Sequence, residues 1–358
     1  MKKLDDLTVL ITGAGAPGAP GIIKSLRIVK ERKIRIIGVD IDIENSVGIG
    51  LVDASYTILP PENDEFIPAL LSVCKKENVR VLLPLVTREL QVLSENIKLF
   101  EKNNIALRVS EPEQLKTANN KYSLMSFCRD NYIPVPDFYL VNSKDDFIKK
   151  SEMLGYPERQ ICFKPPVSNG LRGFRIISDS INRMNVIMNE KPNNVFIGFE
   201  EFLQIADESK WFPQLLLMEY LPGEEYSVDV LANRGKCIKV IPRLRDKLKM
   251  GISFVGTVVK EEQIIGYSGR LVERLGLDGN IGLQFRKDAN GIPKIIESNP
   301  RLQGTVILCT AAGYNMVYNS VKLAVGEMPE EAELRWGTKM IRYWEELFVL
   351  NQKPFDLQ

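Results

Sequence analysis

One segment constrains this chain more than any other: Ile281-Gly-Leu-Gln284-Phe-Arg-Lys-Asp-Ala-Asn290-Gly291-Ile-Pro-Lys-Ile-Ile-Glu297-Ser-Asn299-Pro-Arg301. Asn-Gly between two apolar runs is a strong hairpin signal, because a type I′ turn needs positive φ at both central residues. If Asn290 and Gly291 form the loop, Ala289 pairs with Ile292 and Gln284 falls opposite Glu297. Opposed residues share a face of the sheet. Asn299, two residues on, points the same way. A carboxylate and two amide oxygens on one face suit Mg²⁺, a hard ion that takes oxygen ligands and often completes its shell with phosphates. Arg301 could then hold a phosphate oxygen. A four-residue loop would shift the register and break the pairing. The competing reading is a polar hairpin on an exposed sheet. The apolar flanks Ile281, Leu283, Ile295 and Ile296 favour a core sheet, where polar groups need partners.

Composition removes several classes of function. The chain has 358 residues, enough for two or three domains, with 44% hydrophobic and 26% charged residues. The net charge of +1, from 47 basic and 46 acidic residues, argues against a general nucleic-acid binder. No apolar run approaches the roughly 20 residues of a membrane span. The N-terminus, Met-Lys-Lys-Leu-Asp-Asp, lacks the apolar segment of a signal peptide. Cys74, Cys128, Cys162, Cys237 and Cys309 are scattered without metal spacing and read as core residues of a cytoplasmic protein. Histidine is absent. That excludes a histidine base, a Ser-His-Asp triad and histidine-bound zinc.

Residues 1–115 alternate strand and helix: Thr8–Ile11, Ile34–Val39, Val79–Leu83 and Ala106–Val109 as strands, with helical spacing over Gly21–Glu31, Phe66–Glu77 and Leu90–Asn103. This alternation predicts a parallel sheet covered on both faces. Lys121–Asn131 reads as a helix stopped before Pro134 and Pro136. Short elements follow to about residue 215, and longer strands to about 330. Met340–Leu350 is ambiguous between helix and strand.

Gly13-Ala-Gly15-Ala-Pro-Gly18 matches the dinucleotide fingerprint, with Asp40 at the end of the next strand. Pro17 and Pro20 weaken that reading, because each removes a backbone N–H that would bind pyrophosphate. A tight strand-to-helix turn uses glycine equally well. A nicotinamide-dependent oxidoreductase built on Gly13, Gly15, Gly18 and Asp40 is the alternative function this motif suggests.

Further on, Gln160-Ile-Cys-Phe-Lys164-Pro delivers a lysine from a strand. The loop Ser168-Asn169-Gly170-Leu-Arg172-Gly173 can lay N–H groups on phosphate oxygens. The alternative is a hairpin with a surface lysine. Leu215-Leu-Leu-Met218-Glu219-Tyr220-Leu221 is an apolar strand ending at Pro222-Gly223, where carbonyl and N–H groups can meet an adenine edge. Glu224 or Glu225 could bind ribose hydroxyls, or form a solvated turn.

In this order the pieces become recognisable. Val-Leu-Ile-Thr-Gly-Ala-Gly (9–15), Asn-Lys121 with Ile-Pro-Val-Pro (133–136), Phe-Lys164-Pro, Met-Glu-Tyr-Leu-Pro-Gly-Glu-Glu-Tyr-Ser-Val-Asp (218–229), Gln284 and Glu297-Ser-Asn299-Pro-Arg301 follow one another with the right gaps. Over roughly residues 5–350 the chain resembles the ATP-grasp superfamily, in particular one synthetase unit of the carbamoyl phosphate synthetase large chain and related carboxylate–amine ligases. The resemblance implies a mixed α/β and α+β protein, with an ATP-grasp fold behind an N-terminal Rossmann-like domain. It implies domains at 1–118, 119–215 (linker helix and lid) and 216–358 (large subdomain with the metal-binding hairpin).

The same resemblance implies roles. Lys121 and Lys164 contact the triphosphate and adenine pocket, and residues 168–173 (Ser168, Asn169, Gly170, Arg172 and Gly173 among them) form the phosphate lid. Met218, Glu219, Tyr220 and Leu221 form the adenine strand, and Glu225 holds ribose. Gln284, Glu297 and Asn299 ligate Mg²⁺, with Mn²⁺ as a substitute. Arg301 and Asn299 act at the transferring phosphoryl group, and Arg243, with Arg245, resembles a basic segment near the phosphates. ATP would activate a carboxylate as an acyl phosphate for attack by an amine, releasing ADP. Partners are small molecules, with neither nucleic acid nor membrane, and relatives suggest a homodimer. Two features depart from the family pattern. Ser168 and Leu171 replace lid glycines, and the Pro84–Glu89 stretch lacks an acid near Thr87, so substrate choice differs. Thr87, Arg88, Asp40 and Arg243 are open as substrate contacts. A non-catalytic ATP-binding regulatory protein on the same fold is the remaining alternative.

Overall fold

The computed structural model describes residues 4–168, 172–189, 194–209, 211–249, 251–350 and 353–355. The chain forms two compact units: Met1–Ala118 with Tyr226–Gln284 and Ser298–Gln358, and Asn119–Glu225 with Phe285–Glu297.

In the first unit, β1 (Leu7–Thr12), β2 (Ile34–Asp40), β3 (Ala54–Thr57), β4 (Val81–Leu83) and β5 (Ala106–Leu107) form a parallel sheet in the order β3-β2-β1-β4-β5. Val9, Leu10 and Ile11 are fully buried, as expected of a strand covered on both faces. Pro20 opens the helix Ala19–Arg27, where a missing N–H is harmless. That helix buries Ile22, Ile23 and Leu26. The expected single helix over Leu90–Asn103 is two, Leu90–Glu95 and Ile97–Lys102. Asn96 interrupts it by turning its side-chain amide back to Val92 O, the local competition that makes asparagine a poor helix-interior residue.

The same unit holds most of a second sheet. It joins β11 (Glu225–Asn233), β12 (Lys236–Lys249), β13 (Ile252–Val258), β14 (Gly279–Lys287), β15 (Pro293–Asn299) and β16 (Lys339–Ile341) in the order β15-β14-β11-β12-β13-β16. The second unit is built on β6 (Phe138–Val141), β7 (Ile161–Lys164), β8 (Arg175–Ile177), β9 (Phe196–Ile197) and β10 (Leu215–Glu219), ordered β6-β10-β7-β8-β9. The ambiguous stretch after residue 339 resolves into β16 and β17 (Phe348–Leu350), the latter paired with β18 (Lys353–Phe355).

The β14–β15 hairpin forms, but its loop is longer than Asn290-Gly291. Asp288 N–H donates to Ile292 O at 3.0 Å, and Gly291 N–H to Asp288 O at 3.1 Å. The Asp288 carboxylate takes the N–H groups of Asn290 and Ile292, both at 2.9 Å. This aspartate cap favours a three-residue loop with Gly291 alone at positive φ (+80°). The ladder therefore opens on Asp288 and Ile292 rather than Ala289 and Ile292, one residue off the expected register. The turn does not set Gln284 against Glu297.

The glycine motif serves packing. A Cβ on Gly18 would overlap Gly304 Cα, one on Gly15 would lie 2.6 Å from Ser46 Cβ, and one on Gly13 (φ +58°) would overlap Val86. Asp40, the residue a ribose would need, accepts the Gly15 N–H at 2.8 Å and the Asp42 N–H at 3.1 Å. These contacts account for the three glycines and engage Asp40 without a dinucleotide. Beside the turn, Glu89 is buried. It accepts the Thr12 hydroxyl proton and the Val86 N–H. Burial outweighs these bonds and pushes its carboxyl up to about 7.

Among the described residues no helix is long and apolar enough to cross a membrane. All five cysteines are free, and four are buried.

Two outcomes follow. Gly18→Ala destabilises the protein by about 1–3 kcal/mol through overpacking. Gly266→Ala, in the helix Glu262–Leu275 with open space around it, is neutral or stabilising by up to about 1 kcal/mol; denaturant titration separates them. For Glu89 the folded state binds its proton more tightly than the unfolded chain, so this group's contribution is best at low pH and is lost as pH rises from about 4.5 to about 7. Glu89→Gln removes that loss. Its stability relative to the parent rises by about 3 kcal/mol between pH 5 and pH 8 in urea titrations.

Candidate functional site

Within the second unit two lysines meet the end of β15. Lys121 starts the helix Lys121–Asp130, whose N-cap Asn120 accepts the Ser123 N–H. Its ammonium donates to Ser168 O at 2.7 Å and lies 3.9 Å from Glu297 Oε2. Lys164 ends β7 and donates to Ile296 O at 3.0 Å. The residues are 4% and 7% exposed, so the surface-lysine alternative is overturned. Burial lowers both pKa values, Glu297 opposes the drop, and the Lys121 charge lowers Lys164 further. Two cations in a desolvated corner with one carboxylate form a place where an anion lowers the energy.

The segment expected to form a phosphate lid lies partly among the described residues. Gly173 sits at φ +75°, and a Cβ there would lie 2.6 Å from Pro165 Cδ. Gly173 thus lies too close to Pro165 for a larger residue. Ser168, Arg172 and Gly173 lie among the described residues; Asn169 and Gly170 lie outside them.

The strand expected to meet adenine is β10. Met218 is buried with Phe138, Cys162, Ile176 and Leu216, and Tyr220 and Ile296 pack on this cluster. Glu219 N–H donates to Asp137 O and Tyr220 N–H to Gln160 O. Leu221 therefore carries the first N–H beyond these sheet bonds. Glu219 is a structural hub: its carboxylate binds Lys294, Arg159 at 2.7 Å and the Asp137 N–H at 3.1 Å. Arg286, which the sequence reading did not single out, stacks 5.0 Å from the Tyr220 ring centre, donates to Gly223 O at 3.1 Å and lies 3.9 Å from Glu225. Glu224 faces Lys287 at 3.1 Å and is exposed.

In the first unit Arg301 donates to Asn299 Oδ1 at 3.1 Å and to Leu302 O at 3.0 Å. Asn299 is 6% exposed, and Gln284 is half-buried on β14. Arg243 is buried in a protein network. Its guanidinium is 2.7 Å from Asp229, donates to Gln303 Oε1 at 3.3 Å and binds Thr305. Gln303 donates on to Val228 O at 3.0 Å. It fits only because residue 282 is glycine, where a Cβ would overlap it. The expected catalytic Arg243 thus anchors the segment after Arg301. Arg342, also missed, donates to Gly304 O, and its pKa is lowered by burial and by the nearby Arg243. A lone arginine late in the chain carries no motif to reveal it. Arg88 is exposed and pairs with Glu62 at 2.6 Å.

Glu297 and Asn299 sit two residues apart on β15 and offer the hard oxygen donors a magnesium ion takes. Among the described residues there is no group of three or more His, Cys, Asp or Glu able to hold a metal. One carboxylate with amides fits a metal that arrives with phosphates better than one caged by protein alone.

Replacing Glu219 by glutamine leaves Lys294, 17% exposed, without its carboxylate. The variant is destabilised by about 3 kcal/mol in denaturant titration, although Glu219 lies on the expected nucleotide strand.

Residues 211–345 match the family described as ATP-grasp in the biosynthetic pathway with Ter operon, and residues 9–108 match the PylC-like N-terminal domain. Among solved structures, the biotin carboxylase domain of Hydrogenobacter thermophilus 2-oxoglutarate carboxylase, in complex with MgADP, ADP and bicarbonate, is 17% identical with a TM-score of 0.66, covering 92% of this chain and 73% of that one. N5-carboxyaminoimidazole synthetase from Staphylococcus aureus, complexed with ADP, is 14% identical with a TM-score of 0.65 over 94% and 82%. The L-amino acid ligase from Bacillus licheniformis is 14% identical with a TM-score of 0.61 over 92% and 76%.

Proposed function

We propose that this chain, which carries the ATP-grasp fold behind a Rossmann-like parallel sheet, is a Mg²⁺-ATP-dependent ligase joining a carboxylate to an amine or similar nucleophile. The observation that carries the reading is the convergence of buried Lys121 and Lys164 on the Glu297 end of β15. The similar structures support it: they are a biotin carboxylase domain, a synthetase and an amino acid ligase, the first two complexed with ADP.

In this mechanism Lys121 and Lys164 hold the nucleotide phosphates, and their low hydration makes each contact stronger than in water. Leu221 N–H meets the adenine edge over the Met218 floor, and Glu225 takes ribose. Glu297 and Asn299 would hold the metal, which when bound would neutralise phosphate charge. Arg301 steadies the transferring phosphoryl group. A substrate carboxylate oxygen attacks the γ-phosphorus, the bond to the bridging oxygen breaks, and ADP leaves with that electron pair. The amine then attacks the acyl carbon and expels phosphate. Phosphoryl transfer asks mainly for positioning and charge stabilisation, which suits a chain without histidine. Residues 168–173 act as the lid that keeps water from the acyl phosphate. The substrates are small molecules, and a homodimer is the assembly we expect.

Incubation with Mg²⁺-ATP and pooled carboxylates and amines tests the proposal by quantifying ADP and AMP. ADP release that needs the pool, and falls by about a hundredfold or more in Glu297→Ala and Lys164→Met, is the expected result. AMP release overturns the acyl-phosphate step. ATP binding without turnover under any pool points to a regulatory protein on this fold.

A further inference from the structure

The first unit carries a concavity of about 670 Å³ that none of the roles above uses. Its walls come from β5 and the residues after it, the turn between β11 and β12, Asp278 and the segment Leu323–Met328. Asp278 precedes Gln284 by six residues of nearly extended chain, roughly 20 Å. The cavity therefore lies at the opposite end of β14 from the expected metal ligand. A volume of this size suits a small organic ligand.

One corner of it is rich in guanidinium groups. Arg108 lines it with a side chain only 7% exposed. The guanidinium donates to Ala232 O at 2.9 Å and stands 3.4 Å from Ser320 Oγ and 3.5 Å from the Asp278 carboxylate. That carboxylate is shared, because it also accepts the N–H groups of Arg234 at 2.9 Å and Gly279 at 2.8 Å. Arg234 sits at φ +51°, a left-handed conformation uncommon for a long side chain. It brings a second guanidinium to the cavity lining. Burial lowers the Arg108 pKa, Asp278 opposes the drop, and Arg234 adds to it, so the two cations feel each other. Arg80 is a third cation in the lining, while Ile105, Leu107 and Leu323 make it partly apolar. Glu101, Glu111 and Glu327 share the lining and disfavour a long polyanion; Glu327 is paired with Arg32, outside the lining.

We propose that this cavity binds a small organic anion, whose carboxylate or phosphoryl group pairs with Arg108 and Arg234 while its carbon skeleton lies on the apolar wall. Bidentate pairing with guanidinium is the strongest contact such groups make. Because one wall is the start of β14, the ligand is placed to bias the strand that carries Gln284. The site does not depend on the ligase reading.

Hydrogen exchange on the full chain tests it, with citrate and inorganic pyrophosphate as separate probes at millimolar concentration. The expected result is slower exchange over residues 97–111 and 322–328 with at least one probe. Citrate alone identifies a carboxylate ligand, pyrophosphate alone a phosphorylated one, and both support an oxyanion site. Exchange around Lys121 and Lys164 reports nucleotide-end binding separately. Arg234→Glu, an exposed change, weakens the local protection about tenfold or more in probe concentration, the equivalent of one charged contact. Absence of local protection with both probes, or equal protection in Arg234→Glu, overturns the proposal. Arg80→Glu gives a second exposed variant should Arg234→Glu fold poorly.

Discussion

Two ammonium groups taken out of water set the terms for the rest of the candidate site. A buried lysine is costly unless something compensates it. Lys121 and Lys164 share Glu297, Ile296 O and Ser168 O between them. That arrangement forces the start of one helix, the end of β7 and the far end of β15 to stay in register. It also explains why the neighbouring charges are so fully engaged. Glu219, Lys294 and Arg159 neutralise one another, and Arg286 is fixed against Tyr220 and Gly223. The field at Lys164 is then set mainly by its burial, Glu297 and Lys121, with a smaller contribution from Glu225.

Much of this was legible in the sequence, though at uneven depth. The strand–helix alternation before residue 115 reads directly because each strand is a continuous apolar run, and the structure places β1, β2, β4 and β5 where that pattern falls. β3 escaped notice because Ala54–Thr57 is short and only partly buried. The hairpin was legible as an element but not in register. Asn290-Gly291 is the familiar signal, yet the Asp288 side chain competes for the same N–H groups and lengthens the loop. A pair of residues in the sequence cannot report a carboxylate two positions earlier reaching over them.

Side-chain roles were harder still. Arg243 and Glu219 stand in stretches that look functional, and in the structure both bind protein groups. The same atom types serve an anion or a neighbouring aspartate equally well, so only geometry separates the two uses. Gln303 and Arg342 gave no sequence signal at all. Their importance comes from what they touch, and those partners are distant along the chain. The glycine motif shows the reverse error. Its spacing fits a dinucleotide turn, but closeness to Val86, Ser46 and Gly304 needs the same small residues.

The approach of Gly18 to Gly304 has a consequence for how such a chain can evolve. Two backbones meet where Gly18 tolerates no side chain unless Gly304 yields, whereas a Cβ on Gly304 would meet only ordinary contacts, 3.5 Å from Gly18 Cα at the nearest. The turn after the opening strand and the loop after Arg301 therefore cannot drift independently, and a substitution at Gly18 needs a matching displacement of the loop. A hybrid that borrowed its opening domain from a relative would inherit one half of a matched pair of surfaces. Recombination at that boundary should succeed only between parents whose loops already share the same backbone path, which ties the ancestry of the two segments together.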